Sequence, residues 1–173
     1  MEKIQIRTAT AGDADLLWRF LAIAAYEPDA ERARSVPLVA AHLLGWPRPG
    51  DFGFMAEQAG QAIGAAWCRQ FVAAESPTFH IDDHTPELSI AVVPQARGQG
   101  VGEALLKAIA AESGARGQAI CLNVRHDNPA IGLYERVGFR HVPDAVFPNR
   151  VGGWSIGMWL PATKLPCRVR PSV

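Results

Sequence analysis

Residues 87–102 of the chain read ELSIAVVPQARGQGVG and carry the clearest structural pattern in the sequence. Leu88, Ile90 and Val92 alternate with small residues, which is the period-two pattern of a β-strand. Pro94 cannot donate a hydrogen bond to a neighbouring strand, so it ends this one. A loop with three glycines follows, and apolar residues then recur at helical spacing. The sequence therefore predicts a strand, a glycine-rich loop and a helix.

The glycine-rich loop is typical of a phosphate-binding site. Glycines let the backbone approach a ligand closely, and the N-terminus of the following helix adds about half a positive charge. Arg97 adds a cation whose planar donors suit phosphate oxygens. Two common motifs do not fit, because Glu103 stands where a P-loop requires lysine and where a dinucleotide-binding loop requires its third glycine. What remains is Arg-x-x-Gly-x-Gly after a strand.

A second motif follows at a short distance along the chain. Residues 119–125 have the pattern of a buried strand, and residues 128–139 read NPAIGLYERVGF. Together with the Arg-x-x-Gly-x-Gly segment, these residues resemble the two signatures of the GNAT superfamily of acyl-CoA-dependent N-acetyltransferases. The resemblance covers residues 87–140 at the level of motifs, and outside them only the order of elements.

The resemblance implies an α/β (α+β) fold with a mixed, mainly antiparallel central sheet, in which the fourth and fifth strands run parallel and splay apart. The periodicity of the chain gives a matching order: strand, two helices, three strands, helix, strand, helix and two strands. We therefore expect about seven strands flanked by about four helices. The second helix should run from about residue 30 to 44, interrupted or delayed by Pro37. Residues 70–86 should form a long loop.

Composition favours a single domain at residues 1–160, followed by a tail at residues 161–173 that contains three prolines and is expected to be poorly ordered. Lysine plus arginine and aspartate plus glutamate both number 17, so no overall field favours nucleic acid or an anionic membrane. The sequence lacks a bilayer-spanning apolar run, a signal peptide and the cysteine pattern of a disulfide framework. We expect a cytoplasmic protein that binds neither nucleic acid nor membrane.

The resemblance implies that acetyl-CoA is the cosubstrate and which residues bind it. Backbone N–H groups of Ile90, Val92 and Val93 would hold the pantetheine arm, with that of Ile90 nearest the thioester carbonyl. The loop would bind the pyrophosphate through Arg97, Gly98, Gln99, Gly100, Val101 and Gly102. Asn128 would bind the cofactor's arm through its side chain. Tyr134 would contact the cofactor and act as the general acid that protonates the departing thiolate.

A general base must also take the proton of the acceptor amine. Glu87 stands at the start of the strand predicted within residues 87–102. Its carboxylate would take the amine's proton directly or through water, or it is a solvated group at the end of the strand. His80 and His84 are the alternative bases, because the pKa of a histidine suits the task. Cys121 lies in a predicted strand as a small buried residue. Strand parity leaves open whether Asn123 faces the core or the substrate.

The sequence specifies the acceptor least. Three tryptophans can line an acceptor pocket or act as packing anchors, namely Trp46, Trp154 and Trp159. The acidic pair Asp82 and Asp83, near Glu87, mildly favours a cationic amine. Its spacing with the neighbouring histidines matches no zinc pattern, so we expect no metal.

The predicted function is an acetyl-CoA-dependent N-acetyltransferase that transfers the acetyl group directly to a primary amine of a small molecule. A protein N-terminus or lysine is the alternative acceptor and would need an open groove in place of a pocket. A different class is a CoA-binding sensor or interaction module without transfer chemistry, against which the presence of both Asn128 and Tyr134 argues. Dimers are common in the family, so a homodimer is a further expectation.

Overall fold

The computed structural model describes residues 3–162 of the chain. Within this range seven strands form one sheet, with bounds Gln5–Thr8 (β1), Phe52–Gln58 (β2), Gln61–Arg69 (β3), Glu87–Val92 (β4), Ile120–Arg125 (β5), Arg140–Pro148 (β6) and Trp154–Leu160 (β7). The strand order across the sheet is β1-β2-β3-β4-β5-β7-β6. All neighbouring strands are antiparallel except β4 and β5, which run parallel. This is the predicted mixed sheet with one parallel pair.

The parallel pair separates almost as soon as it forms. Glu87 and Cys121 are the register partners of β4 and β5, and no further pair follows them within the described range. β4 nevertheless continues to Val92 along β3, and β5 continues to Arg125 along β7. Each strand thus keeps its outer neighbour while the two move apart, which leaves a gap in the middle of the sheet.

Helices cover both faces of the sheet. Their bounds are Ala14–Ala24 (α1), Ala30–Ser35 (α2), Pro37–Ala40 (α3), Val101–Arg116 (α4) and Ile131–Val137 (α5). Because successive strand residues face opposite sides, Trp67 of β3 packs with α1 on one face, while Cys68 packs with α4 on the other. The gap between β4 and β5 therefore opens between two packed helical layers.

The helical segment before β2 is broken at Pro37. The second helix expected at about residues 30–44, interrupted or delayed by Pro37, is two short helices, because Val36 before Pro37 is extended, and the segment ends in turns after Ala40. The described residues therefore hold five α-helices, against an expectation of about four. The register of the last two strands shifts between His141 and Val146, where Asp144 has a φ of 60°.

The long loop expected at residues 70–86 agrees with the structure. Residues 70–86 form a long connection with one short 3₁₀ turn at Ala73–Glu75. Within residues 3–162, no helix combines the length and apolar character that crossing a membrane requires. Of the tail predicted at residues 161–173, positions 163–173 lie outside the described residues.

Candidate active site

The glycine-rich loop connects β4 to the N-terminus of α4. Gly98 and Gly100 have φ values of +74° and +82°, which side-chain-bearing residues rarely adopt, and a Cβ built on either would meet no atom within 4 Å. The first intrahelical bond joins the Ala104 N–H to the Gly100 carbonyl, so the N–H groups of Val101, Gly102 and Glu103 have no acceptor within the helix. The loop therefore presents free donors at an open surface, as an anion-binding site requires.

Side chains of the loop divide between binding and packing. Arg97 is exposed, and its Nε donates to the Val92 carbonyl at 3.2 Å, while Nη1 and Nη2 have no protein partner within residues 3–162. The Val101 side chain is buried in the core, so this residue has only its N–H to offer a ligand. A Cβ at Gly102 would lie 3.3 Å from Leu133, so glycine here also lets α4 approach α5. The Gln99 side chain donates to Gln95, which leaves its backbone for the loop.

The edge of β4 supplies further donors to the gap. The Cys121 N–H donates to the Pro86 carbonyl, so even-numbered residues of β4 turn their backbone groups towards β5. Ile90 and Val92 therefore direct their N–H groups into the gap, past the point where the strands part. The Val93 N–H donates to the Ile63 carbonyl of β3 instead. The expectation that Val93 offers a backbone donor to the pantetheine arm is therefore wrong.

Asn128 and Tyr134 stand on the other side of the gap. Asn128 accepts a hydrogen bond from the Ala130 N–H at 2.8 Å, which shapes the turn into α5, and its Nδ2 lies 3.5 Å from the Tyr26 hydroxyl. Tyr134 is buried in α5 and lines the same cavity as Asn128. Burial raises the pKa of the Tyr134 phenol to about 12. The hydroxyl thus stays protonated at neutral pH.

Glu87 lies where β4 and β5 separate, and it is buried rather than solvated. Asn123 of β5 donates to its Oε1 at 2.6 Å, while Oε2 is buried without a partner. Burial raises the pKa of Glu87 to about 8, and the hydrogen bond from Asn123 opposes this rise. A carboxyl group that titrates near neutral pH suits proton transfer, because it holds and releases a proton under the conditions of the reaction.

A cavity of about 300 Å³ contains these groups, and its lining includes Glu87, Asn128 and Tyr134. The alternative bases do not reach it. His80 pairs with Asp83 at 2.9 Å on the 70–86 connection, and neither His80 nor His84 lines the cavity. Of the three base candidates, Glu87 is the one that lines the cavity.

The expected acceptor determinants lie elsewhere. Trp46 is buried and donates to the Thr10 carbonyl, Trp159 packs beside Cys121, and Trp154 is exposed; none of the three lines the cavity. Asp82 and Asp83 are also absent from its lining and bond to backbone N–H groups of their own connection. The preference for a cationic amine inferred from this acidic pair is therefore unsupported.

The lining also contains residues that the sequence did not single out. His42 is partly buried, with its Nδ1 atom inaccessible, and desolvation together with the nearby Arg69 charge lowers its pKa to about 4, so its ring is neutral. Arg125 follows Asn123 by two positions on β5 and shares its face, and Asn149 comes from the β6–β7 turn. Period-two spacing on β5 predicts that Arg125 and Asn123 share a face of the strand. No local pattern predicts that this face is the one that contacts Glu87.

The mixed sheet with a splayed parallel pair and the donor-rich loop at the N-terminus of α4 agree with the fold that the two sequence signatures imply. A family model described as an acetyltransferase (GNAT) domain matches residues 49–141, which is more than half of the 173-residue chain. The chain belongs to the GNAT acetyltransferase family, and acetyl-CoA is its cosubstrate. The open glycine loop and the free N–H groups of β4 fit this cosubstrate.

Solved structures share the fold over nearly the whole chain. The ribosomal-protein-S18-alanine N-acetyltransferase from Escherichia coli is 23% identical, with 97% of this chain and 99% of that chain covered and a TM-score of 0.68. The structure of yncA from Salmonella typhimurium with its cofactor acetyl-CoA is 20% identical, with 98% of both chains covered and a TM-score of 0.65. A spermidine N-acetyltransferase chimera from Vibrio cholerae and hSSAT is 19% identical, covers 92% of this chain and 96% of its own, and has a TM-score of 0.62. No curated protein matches the chain significantly in sequence.

Proposed function

We propose that this protein transfers the acetyl group of acetyl-CoA directly to a primary amine of a small molecule. The observation that carries the proposal is the position of Glu87. Glu87, whose Oε2 is buried without a hydrogen-bond partner, is a lining residue of the cavity at the point where β4 and β5 separate, and Tyr134 lines the same cavity. A proton acceptor and a proton donor thus border one cavity beside the cosubstrate's gap.

Acetyl-CoA, when bound, supplies the acetyl group as a reactive thioester. Arg97 and the N–H groups at the start of α4 suit its pyrophosphate, and the Ile90 and Val92 N–H groups would orient its arm. Glu87 would take the amine's proton at Oε2, because a bound ammonium group favours the ionised carboxylate. Tyr134 would hold a proton in the cavity and donate it to the leaving group, since its own pKa lies near 12.

Direct transfer is favoured over transfer through an acyl-enzyme. Cys68 and Cys121 are buried, and burial raises the pKa of both thiols. Neither lines the cavity. A buried thiol that holds its proton is a poor nucleophile, so the described part of the chain offers no cysteine for a covalent intermediate.

A small acceptor suits the size of the cavity. Its volume of about 300 Å³ lies at the lower end of the range for small-molecule sites. Arg150 of the β6–β7 turn donates to Glu27 at 2.7 Å and to the Ala25 carbonyl at 3.1 Å, which ties this turn to the end of α1.

The cofactor part of the proposal is tested by calorimetric titration of acetyl-CoA into the wild type, Arg97→Ala and Arg19→Ala. Arg19 is an exposed arginine outside the cavity lining and serves as the matched control. Saturable binding that Arg97→Ala weakens and Arg19→Ala does not would support acetyl-CoA binding by the glycine-rich loop. Absence of binding to the folded wild type would overturn the proposal.

The transfer part is tested by thiol release in the presence of primary amines, with the acetylated product identified by mass spectrometry. Amine-dependent release that Tyr134→Phe reduces would support the proposed chemistry. Binding of acetyl-CoA without transfer to any small amine or peptide would favour a CoA-binding sensor instead. Transfer to peptides alone would favour a protein acceptor.

A further inference from the structure

Four buried polar atoms without a hydrogen-bond partner belong to residues that line the cavity. They are His42 Nδ1, Glu87 Oε2, Arg125 Nε and Asn149 Nδ2. Buried polar atoms in native proteins are nearly always bonded, so unpartnered atoms that gather in one cavity indicate the polar groups of its ligand. Glu87 offers an acceptor for an amine, while Arg125 and Asn149 offer donors for an anionic or carbonyl oxygen.

The orientation of Arg125 is fixed by its neighbours. Its Nη2 donates to Asp127 at 3.2 Å, and its guanidinium carbon lies 5.0 Å from the centre of the Tyr26 ring. The planar group is therefore held on two sides, and Nε is the nitrogen that remains buried and unpartnered. A guanidinium fixed in this way binds an oxyanion with little loss of side-chain freedom.

The orientation of Asn149 is fixed as well. Its Oδ1 accepts hydrogen bonds from the Val151 and Gly153 N–H groups, both at 3.0 Å. The amide nitrogen must therefore be the remaining group, which leaves Nδ2 as a donor with no protein partner. Two fixed donors thus come from two different elements, β5 and the β6–β7 turn.

The charged side chains of the lining are few, and the arginines among them are ion-paired. Among the described residues of the lining, Arg125 and Arg150 are the arginines and Glu87 is the carboxylic acid. Asp127 and Glu27 pair with the two arginines from outside the lining, so the net charge of the cavity does not select the acceptor. The local group that remains for an anionic oxygen is Arg125 Nε, which has no hydrogen-bond partner among the described residues.

The two ends of the proposed site lie near one another. Asn123, which donates to Glu87, and Arg125 are two residues apart on β5 and share a face of the strand. Their Cα atoms are about 6.6 Å apart, a distance that one small molecule spans. The rest of the lining includes apolar side chains from α1 and α3, such as Leu21 and Val39.

We propose that the acceptor is an α-amino acid with an apolar side chain, whose amine meets Glu87 and whose carboxylate is bound by Arg125 and Asn149. This inference rests on the proposed acetyl transfer and names its acceptor class. A peptide N-terminus carries no carboxylate next to its amine and would leave the two donors without their partner.

Matched pairs of acceptors test the inference through transfer. L-Leucine, L-methionine and L-phenylalanine are each compared with their decarboxylated amine, using the wild type, Arg125→Gln, Arg125→Lys and the control Arg140→Gln. Arg140 is an exposed strand arginine outside the lining. We expect the wild type to prefer the amino acid, and Arg125→Gln to lower kcat/KM for it by about 10- to 100-fold, since a charge-assisted hydrogen bond is lost.

Arg140→Gln should leave kcat/KM unchanged for every acceptor, whereas Arg125→Gln should lower kcat/KM more for each amino acid than for its decarboxylated amine. Circular dichroism and saturable acetyl-CoA binding check that Arg125→Gln is folded. Arg125→Lys should retain part of the preference. A wild type that prefers the decarboxylated amines, leucine amide or leucine-initiated peptides would overturn the amino-acid inference and leave acetyl transfer standing.

Binding supplies a readout that does not depend on transfer. The amino acids are titrated calorimetrically into wild type and Arg125→Gln in the presence of coenzyme A. Saturable binding that the substitution weakens at least 10-fold would support the site even if no transfer were found, a result that would contradict only the proposed function. Binding of none of the three amino acids to the wild type would overturn the inference.

Discussion

The hydrogen bond from Asn123 to Glu87 predicts a measurable shift in the titration of the buried carboxyl. Asn123 Nδ2 donates to Oε1 at 2.6 Å, and this bond stabilises the ionised carboxylate against its burial. Asn123→Leu keeps a side chain of similar size and removes the donor. The pKa of Glu87, about 8 in the wild type, should therefore rise further.

The size of the shift follows from the kind of bond. A hydrogen bond to a charged group contributes about 1.5 to 3 kcal/mol, and one pKa unit corresponds to about 1.4 kcal/mol. Asn123→Leu should therefore raise the pKa of Glu87 by about one to two units. At neutral pH the ionised fraction, and with it kcat/KM, should fall by about 10-fold or more.

Carbon-13 NMR of protein labelled at the glutamate carboxyl groups measures this pKa directly, with Glu87→Gln identifying the resonance. The pH profile of kcat/KM supplies the second readout, and in Asn123→Leu its rise with pH should move upward by the same amount as the pKa measured by NMR. An equal pKa of Glu87 in the wild type and in Asn123→Leu would refute the role of the hydrogen bond. Titration near 4.5 in the wild type, the ordinary value, would refute the burial of the group.

Three further predictions concern catalysis, stability and packing. Tyr134→Phe should lower kcat by about 100-fold or more, measured by thiol release, and leave acetyl-CoA affinity nearly unchanged, because only the proton donor is lost. The native pKa of Glu87, about 8, lies above the ordinary 4.5, so the wild type loses stability as pH rises between these values. Urea unfolding should accordingly show that the free energy of unfolding of Glu87→Gln, taken relative to the wild type, is about 3 kcal/mol higher at pH 8 than at pH 5. An equal difference at both pH values would contradict this expectation. Gly64→Ala should destabilise by about 1 to 3 kcal/mol, because its Cβ would lie 3.1 Å from Leu105; Gly132→Ala in α5, with open space, should be neutral or stabilising by the same measurement.

The elements around the cosubstrate gap were visible in the sequence because their signals are local. The strand pattern up to Val92, Pro94 and the glycines after it predicted β4, the loop and α4, and the structure has them in that order. The break at Pro37 was visible for the same reason, since proline acts on its own neighbours. Glycine within a strand marks a bulge or a close approach, and Gly64 of β3 lies opposite a register shift of β2 and against α4.

The contacts within the site could not be predicted, because they depend on which strands become neighbours. Asn123 meets Glu87 only since Cys121 is the register partner of Glu87, and no local pattern fixes that pairing. Strand pairing likewise determines that the Val93 N–H donates to the Ile63 carbonyl of β3. Arg125 and Asn149 come together from elements that are 24 residues apart, with no motif joining them. Long-range register thus set the acceptor side of the cavity, where the tryptophans and the acidic pair proved misleading.

Acetyl transfer is tested most directly by following coenzyme A release and the acetylated amine together in one reaction, with wild type, Glu87→Gln and Tyr134→Phe. We expect the wild type to release one thiol for each acetylated amine formed, and both variants to lose this activity while still binding acetyl-CoA. Thiol release without an acetylated amine, or equal rates in all three proteins, would contradict a transferase that works through Glu87 and Tyr134.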